Sequence, residues 1–105
     1  MTTKPKTKMG EMDIKDVGPA QQRYQALGKP SKAHFRLASS ANGQRAIELA
    51  TAGKLRVSKA TGHATGYVTE FDHEYFRDDV IAALVVCEQI RLEPFDHYQD
   101  VAVVL

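Results

Sequence analysis

The feature that most constrains this fold is an uninterrupted apolar run of eight residues, 80–87 (VIAALVVC). The run is far too short to span a membrane, so it must be buried in a folded core. The amphipathic pattern around it favours a helix over residues 73–91 with Asp72 as the N-cap, and a buried strand is the alternative for the run itself. The apolar face predicted for this helix consists of Phe76, Val80, Ala83, Leu84, Cys87 and Ile90.

Two apolar side chains of the run, Ile81 and Val85, project from the opposite and mostly polar side of that helix. Such a pair is buried either under another element of the same domain or against a partner. The rarity of exposed apolar patches favours burial under the hairpin or the tail. Together with the apolar C-terminal segment, the pair also supports a homodimer. The interface predicted on this basis comprises Asp78, Asp79, Ile81 and Val85.

Three predicted helices precede a predicted β-hairpin. Apolar residues recur at helical spacing in residues 19–27 and 44–52, and a glycine follows each segment. Residues 31–39 suit either a helix capped by the first serine or a strand, and the helix is favoured. Alternation of apolar and polar residues over 55–71 predicts a hairpin that turns at a glycine.

The C-terminal segment 100–105 (DVAVVL) follows Pro94 and predicts a strand that pairs with the hairpin. The predicted fold is therefore α+β, with three to four helices and a small antiparallel, three-stranded sheet made by hairpin 55–71 and this strand. Residues 1–13 are polar and carry three lysines, which predicts a flexible basic tail. Residues 14–105 have a length typical of one compact domain.

Charge is distributed unevenly along the chain. Residues 1–36 carry a net charge of +5, residues 37–71 carry +2, and residues 72–105 carry −6. This asymmetry predicts one half that faces a polyanion and a separate acidic surface. The alternative is that the charged side chains of both signs only keep the protein surface hydrated and bind no partner.

The order of elements over residues 19–71, helices followed by a hairpin, resembles the winged helix-turn-helix class of DNA-binding domains. The resemblance implies that helix 44–52 enters the major groove and that the hairpin is the wing, which predicts a small DNA-binding regulator. Glutamine and arginine suit adenine and guanine, and basic groups bind phosphates. The predicted nucleic-acid-binding residues are Gln44 and Arg45 on the helix, Arg56, Lys59 and His63 on the hairpin, and Lys29, Lys32 and Arg36 on the flank.

The acidic C-terminal third, residues 72–105, supports a different function. A surface with a net charge of −6 suits a basic partner. A small acidic protein can also inhibit another protein by occupying its positively charged groove. The alternative prediction is therefore a non-enzymatic protein-binding module or inhibitor.

Motifs for catalysis, cofactors and metals are missing from the sequence. There is no Walker, G-x-G-x-x-G or G-x-S-x-G pattern, and Arg77 replaces the second histidine of an H-E-x-x-H pattern that begins at His73. A Phe-Asp-His sequence occurs at 71–73 and at 95–97, and with Asp100 it suggests a metal site. Helix capping and aromatic packing explain the repeat better. We therefore expect no enzymatic activity, no cofactor and no metal.

The single cysteine, Cys87, lies within the apolar run and is predicted to be a buried, reduced side chain. The basic start of the chain is not followed by the apolar segment of a signal peptide. These features predict a cytoplasmic protein without membrane contacts.

Overall fold

A computed structural model describes residues 19–105, which form a layer of helices and a layer of strands. The helices are α1 (Pro19–Gln25), α2 (Lys32–Ser39), α3 (Ala41–Thr51) and α4 (Asp78–Val86). The strands are β1 (Leu55–Ser58), β2 (Ala64–Tyr67), β3 (His73–Phe76), β4 (Ile90–Pro94) and β5 (Gln99–Val104). The tail predicted at residues 1–13 and the predicted start of the domain at residue 14 lie outside the described residues.

The five strands form one antiparallel sheet in the order β3-β2-β1-β5-β4. The predicted hairpin is confirmed as β1 and β2, and Gly62 in its turn has a φ of +81°. The C-terminal strand pairs with β1 as predicted, and also with β4. The α+β class with a small antiparallel sheet is therefore confirmed, with five strands where the sequence predicts three.

The core lies between the helices and one face of the sheet, with α4 at its centre. Ile81 and Leu84 of α4 are fully buried, as are Leu55 on β1 and Leu92 on β4. Burial of each such side chain contributes about 1.5–3 kcal/mol before chain entropy is subtracted. The apolar run is therefore the centre of the core, as the sequence predicts.

The predicted helix over residues 73–91 is wrong at its N-terminal end. Residues 73–76 are β3, whose backbone pairs with β2. Asp72 caps no helix, because it lies in the turn before β3, where its carbonyl accepts hydrogen bonds from Val68 N and Thr69 N. Residue Arg77 occupies the N-cap position of α4. Strand pairing, a long-range interaction, overrides the local helical pattern here.

The same predicted helix is also wrong at its C-terminal end, where residues 90–94 are β4. Glu88 has a φ of +59°, in the left-handed region that favours glycine. The N–H of Gln89 then donates to the carbonyl of Leu84 at 2.9 Å and closes the last turn of α4. The helix therefore ends early enough for β4 to pair with β5.

The apolar pair Ile81 and Val85 is buried inside this chain. Ile81 has no solvent exposure and Val85 is 5% exposed. Helices α1 and α2 pack against α4, whereas the sequence favours the hairpin or the tail as the cover of this pair. The pair thus contacts the same domain rather than a partner, so it no longer supports the homodimer, which stays a prediction.

Residues 31–39 form a helix, α2, as favoured from the sequence, and Ser31 caps it. The winged helix-turn-helix resemblance extends only to the order of the first elements. Helix α3 packs against β1, β2 and β5, and the sheet is completed by strands beyond the hairpin.

Helices α2 and α3 approach each other closely at Gly43. Ser40 lies between the helices, and its Oγ accepts a hydrogen bond from Gly43 N at 3.1 Å. A Cβ atom at Gly43 would overlap the backbone carbonyl oxygens of Leu37 and Ala38. Only glycine therefore fits at this contact without a shift of one helix against the other.

We expect Gly43→Ala to destabilise the protein by about 1–3 kcal/mol, because the added methyl group must displace backbone atoms. This loss outweighs the gain of up to about 1 kcal/mol in helix propensity. Asn42 is the exposed neighbour, and Asn42→Ala should change stability by less than about 0.5 kcal/mol. Urea denaturation followed by circular dichroism measures both variants. Equal stabilities would contradict the close approach.

Candidate functional site

One face of the sheet packs against the helices, and the described helices leave the other face uncovered. Successive residues of a strand point to opposite faces, so Leu55 and Val57 are buried while Arg56 and Ser58 lie on the uncovered side. The same alternation continues through the other strands. The uncovered face therefore carries His73, Tyr75, Thr65, Tyr67, Arg56, Ser58, Gln99, Val101, Val103, Arg91 and Glu93.

Arg56 lies at the centre of the uncovered face. It is opposite Thr65 on one side and Val101 on the other. The same cross-strand row continues to Tyr75 on β3 and to Glu93 on β4. Because neighbouring strands lie about 4.8 Å apart, this row of five residues spans about 19 Å.

One aromatic ring packs on Arg56, and three others lie on the same face of the sheet. The Arg56 guanidinium lies 4.2 Å from the centroid of the Phe95 ring, within the range of a cation–π contact. Tyr67 and His73 pack edge to face with centroids 4.8 Å apart, and His73 contacts Tyr75 in the same way at 6.5 Å. These five residues, Arg56, Tyr67, His73, Tyr75 and Phe95, are called the sheet-face site below.

Three of the four rings of the sheet-face site, those of His73, Tyr75 and Phe95, are exposed to solvent, and two polar contacts hold their neighbours in place. Tyr75 is 75% exposed and Phe95 is 53% exposed. Gln99 Nε2 donates to Tyr67 Oη at 3.4 Å, and Arg56 Nη1 donates to the carbonyl of Gly53 at 2.8 Å. The site thus combines an oriented arginine with accessible aromatic surface.

The turn between β4 and β5 positions Phe95. Asp96 Oδ1 accepts hydrogen bonds from the backbone N–H groups of Tyr98 (2.8 Å) and Gln99 (2.7 Å), as in an Asx-turn. These bonds to the ionised carboxylate hold the pKa of Asp96 below its usual range. Phe95 N also donates to Gln99 O at 3.2 Å, which ties the ring to the end of the sheet.

The repeated Phe-Asp-His sequence belongs to two separate turns. Residues 71–73 lie where β2 turns into β3, and residues 95–97 lie between β4 and β5. The strand register places these turns at opposite ends of the sheet. Within residues 19–105, no three metal-ligating side chains are grouped closely enough to hold an ion. The metal site considered from the sequence is therefore not assembled there.

The two α3 residues predicted to contact bases are engaged within the chain. Arg45 Nε and Nη2 donate to the Glu74 carboxylate on β3 at 3.0 and 2.8 Å, and Arg45 Nη1 donates to Glu48 at 2.9 Å. Glu74, and Glu48 after it, hold the pKa of Arg45 above its usual range. Gln44 Nε2 donates to the carbonyl of Ala38 at 3.0 Å. Both side chains thus make contacts within the chain, and their binding to DNA stays a prediction.

The other predicted nucleic-acid-binding residues are spread over the molecule. Arg56 belongs to the sheet-face site, and His63 is exposed in the turn between β1 and β2. Lys59 Nζ lies 3.8 Å from Oδ1 of Asp100, which has no solvent exposure. The helix layer exposes the remaining three, Lys29, Lys32 and Arg36.

Most acidic residues of the C-terminal third are engaged by other groups of the same chain. Four of the eight acidic side chains in residues 72–105 make ion pairs within the chain, and Asp96 is bound by its own turn. The predicted interface residues Asp78 and Asp79 lie in the first turn of α4, where they suit the positive end of the helix dipole. Asp79 Oδ2 also lies 3.5 Å from Arg77 Nη2.

Cys87 is half-buried, and burial raises the pKa of its thiol, which makes it a poor nucleophile. The aromatic members of the sheet-face site, in contrast, were missed in the sequence. The alternation in residues 73–76 (HEYF) is typical of a strand, and it places His73 and Tyr75 on one face. Phe95 has no comparable signal, because it follows β4 and reaches Arg56 on β1 only across β5.

Comparison of the chain with protein-family models, with curated proteins and with solved structures found no significant match. In the described part of the chain, no helix combines the length and the apolar character that are needed to cross a bilayer.

The Arg45–Glu74 pair should make stability depend on pH. Arg45 lowers the pKa of Glu74 in the folded protein. The pair therefore stabilises the fold above the pKa of an unfolded glutamate, about 4.3, and the contribution is lost as the pH falls through the lowered folded value. Glu74→Gln should unfold at lower urea concentration than the parent protein at neutral pH, and the two should become equal near pH 2.

Glu70→Gln is the matched control, because Glu70 is an exposed glutamate in the turn before β3. It should unfold like the parent protein at both pH values. A deficit of Glu74→Gln that persists undiminished in acid would show that the carboxylate charge is not its cause.

Proposed function

We propose that this protein binds nucleic acid through the sheet-face site. The observation that carries the proposal is the Arg56–Phe95 stack, at 4.2 Å, on an uncovered sheet face that also bears the rings of Tyr67, His73 and Tyr75. Arginine supplies a permanent positive charge for phosphates, and exposed rings supply flat surfaces for bases. One continuous surface thus offers groups that match both parts of a nucleotide.

The charges near the site support a polyanionic ligand. Lys54 is exposed just before β1, and Arg91 lies on the same face as Arg56, where Glu93 balances its charge. Among the strand residues that point to this face, Glu93 is the one carboxylate, and it is paired with Arg91. Phosphate contacts of this kind provide most of the sequence-independent affinity for nucleic acids.

Helix α3 has less support as a DNA-reading element. All three guanidinium nitrogens of Arg45 donate to carboxylates, so a contact with guanine would require those bonds to break. The Glu48 side chain on the same helix is 67% exposed and repels phosphate. The proposal therefore moves the interface from α3 to the sheet and keeps Arg56 from the sequence prediction.

A protein-binding or inhibitory function is the weaker alternative. It requires a continuous acidic surface, whereas the acidic side chains of residues 72–105 are dispersed and several are paired. A regulatory role in the cytoplasm and a homodimer stay expectations from the sequence alone.

Binding to labelled oligonucleotides across a salt series tests the proposal. Fluorescence anisotropy with mixed-sequence DNA and RNA, single-stranded and duplex, should show binding that weakens as salt rises, because phosphate contacts release counterions. Arg56→Gln should weaken binding to the best probe about tenfold and reduce the salt slope by about one. Arg36→Gln removes the same charge from the exposed surface of α2 and should leave the affinity unchanged.

Two results would overturn this assignment. The first is no binding of any probe even at low salt. The second is a loss of affinity in Arg36→Gln with none in Arg56→Gln, which would place the contact on the helix layer.

A further inference from the structure

We infer that the ligand of the sheet-face site is a single strand, whose unpaired bases stack on Tyr75, Tyr67 and Phe95. This inference rests on the proposed nucleic-acid binding and adds which form of nucleic acid the site accepts. Three geometrical features carry it: the width of the surface, the exposure of its rings and the polar groups between them.

The surface is too wide for a duplex groove. The site extends from Tyr75 on the edge strand β3 to Phe95 after β4, and the cross-strand row through Arg56 covers all five strands. That distance is about 19 Å, whereas the major groove of B-DNA is about 12 Å wide and admits a helix or a two-stranded ribbon. A sheet of five strands therefore meets a duplex only at its phosphates.

The rings of the site can make their full contact only with unpaired bases. Tyr75 is 75% exposed and Phe95 is 53% exposed, so both offer surface for stacking. In a duplex each base is already stacked on its neighbours and shows only its edge in a groove. Bases of a single strand are free to lie against aromatic rings, and open sheets with exposed aromatics bind single strands in this way.

The order of the groups defines a path across the sheet. Tyr75 on β3, Tyr67 on β2, Arg56 on β1 and Phe95 beyond β5 follow one another in the strand order. The three rings predict that about three bases are stacked, with Arg56 between them to contact a phosphate. Arg56 is held in this position by its contacts with Phe95 and Gly53.

Polar side chains lie between the rings and face the same way. Thr65 is opposite both Tyr75 and Arg56, and Gln99 is opposite Ser58 and bonded to Tyr67. Hydroxyl and amide groups can donate to and accept from base edges. We therefore expect a modest base preference superimposed on stacking, which tolerates every base.

Competition between single strands and duplex tests the inference. Labelled homopolymeric oligonucleotides of about ten nucleotides, one of DNA and one of RNA, are bound to the full chain and displaced by unlabelled single strand or by duplex of the same length. The unlabelled single strand should compete at least tenfold better than the duplex at equal nucleotide concentration. The DNA and RNA arms show which sugar the site prefers.

Substitutions of the aromatic residues give a second test, because they change stacking without changing the charge of the site. Tyr75→Ala and Phe95→Leu should each weaken single-strand binding about tenfold, whereas Tyr75→Phe keeps the ring and should bind like the parent protein. Phe35→Ala is the matched control, because Phe35 is 54% exposed on α2 and lies outside the sheet-face site. It should not change the affinity. Circular dichroism confirms that each exposed-residue variant is folded.

The possible results separate this inference from the proposed function. A preference for single strands, together with a loss of affinity in Tyr75→Ala and Phe95→Leu, supports both nucleic-acid binding and the single-strand inference. Binding that depends on Arg56 but not on the rings, with duplex competing equally well, overturns the inference and leaves nucleic-acid binding in place. No binding of any nucleic acid overturns both.

Discussion

Burial of α4 sets the arrangement of the other elements. Seven of its nine residues are buried, and a helix that is apolar on all sides must be covered on all sides. Helices α1, α2 and α3 and strand β4 all pack against it. Because the described helices gather around α4 on a single face of the sheet, the opposite face is left open. The position of the sheet-face site is thus a consequence of core packing.

The close fit of α3 against the sheet has a further consequence for function. Gly66 has no side chain, and a Cβ there would overlap Leu49 Cδ1 of α3, so the helix approaches β2 closely. At that distance Arg45 reaches Glu74 on β3. The positive charge of Arg45, which the sequence suggests is free to bind a ligand, is therefore neutralised by an ion pair between α3 and β3. Arg56, on the opposite face, is directed away from these carboxylates and towards Phe95.

Much of the fold was predictable because it follows from local patterns. The helices near 19–27 and 44–52 were recognised from apolar spacing and a following glycine, and the hairpin from strict alternation. The candidate site was less predictable. Arg56 was identified as basic and as part of the hairpin, but its aromatic neighbours were not, since Tyr75 and Phe95 join it only through strand pairing and a turn.

The sequence by itself determined the α+β class, the order of helices and hairpin, and the burial of the apolar run, because spacing, capping residues and alternation act over a few neighbouring residues. Only the tertiary structure decided that residues 73–76 and 90–91, the two ends of the predicted helix 73–91, belong to strands β3 and β4. It also decided that Ile81 and Val85 contact this chain, and that Arg45 faces Glu74. The physical reason is common to all three: backbone pairing, burial and ion pairing each require a partner that lies far away in the sequence.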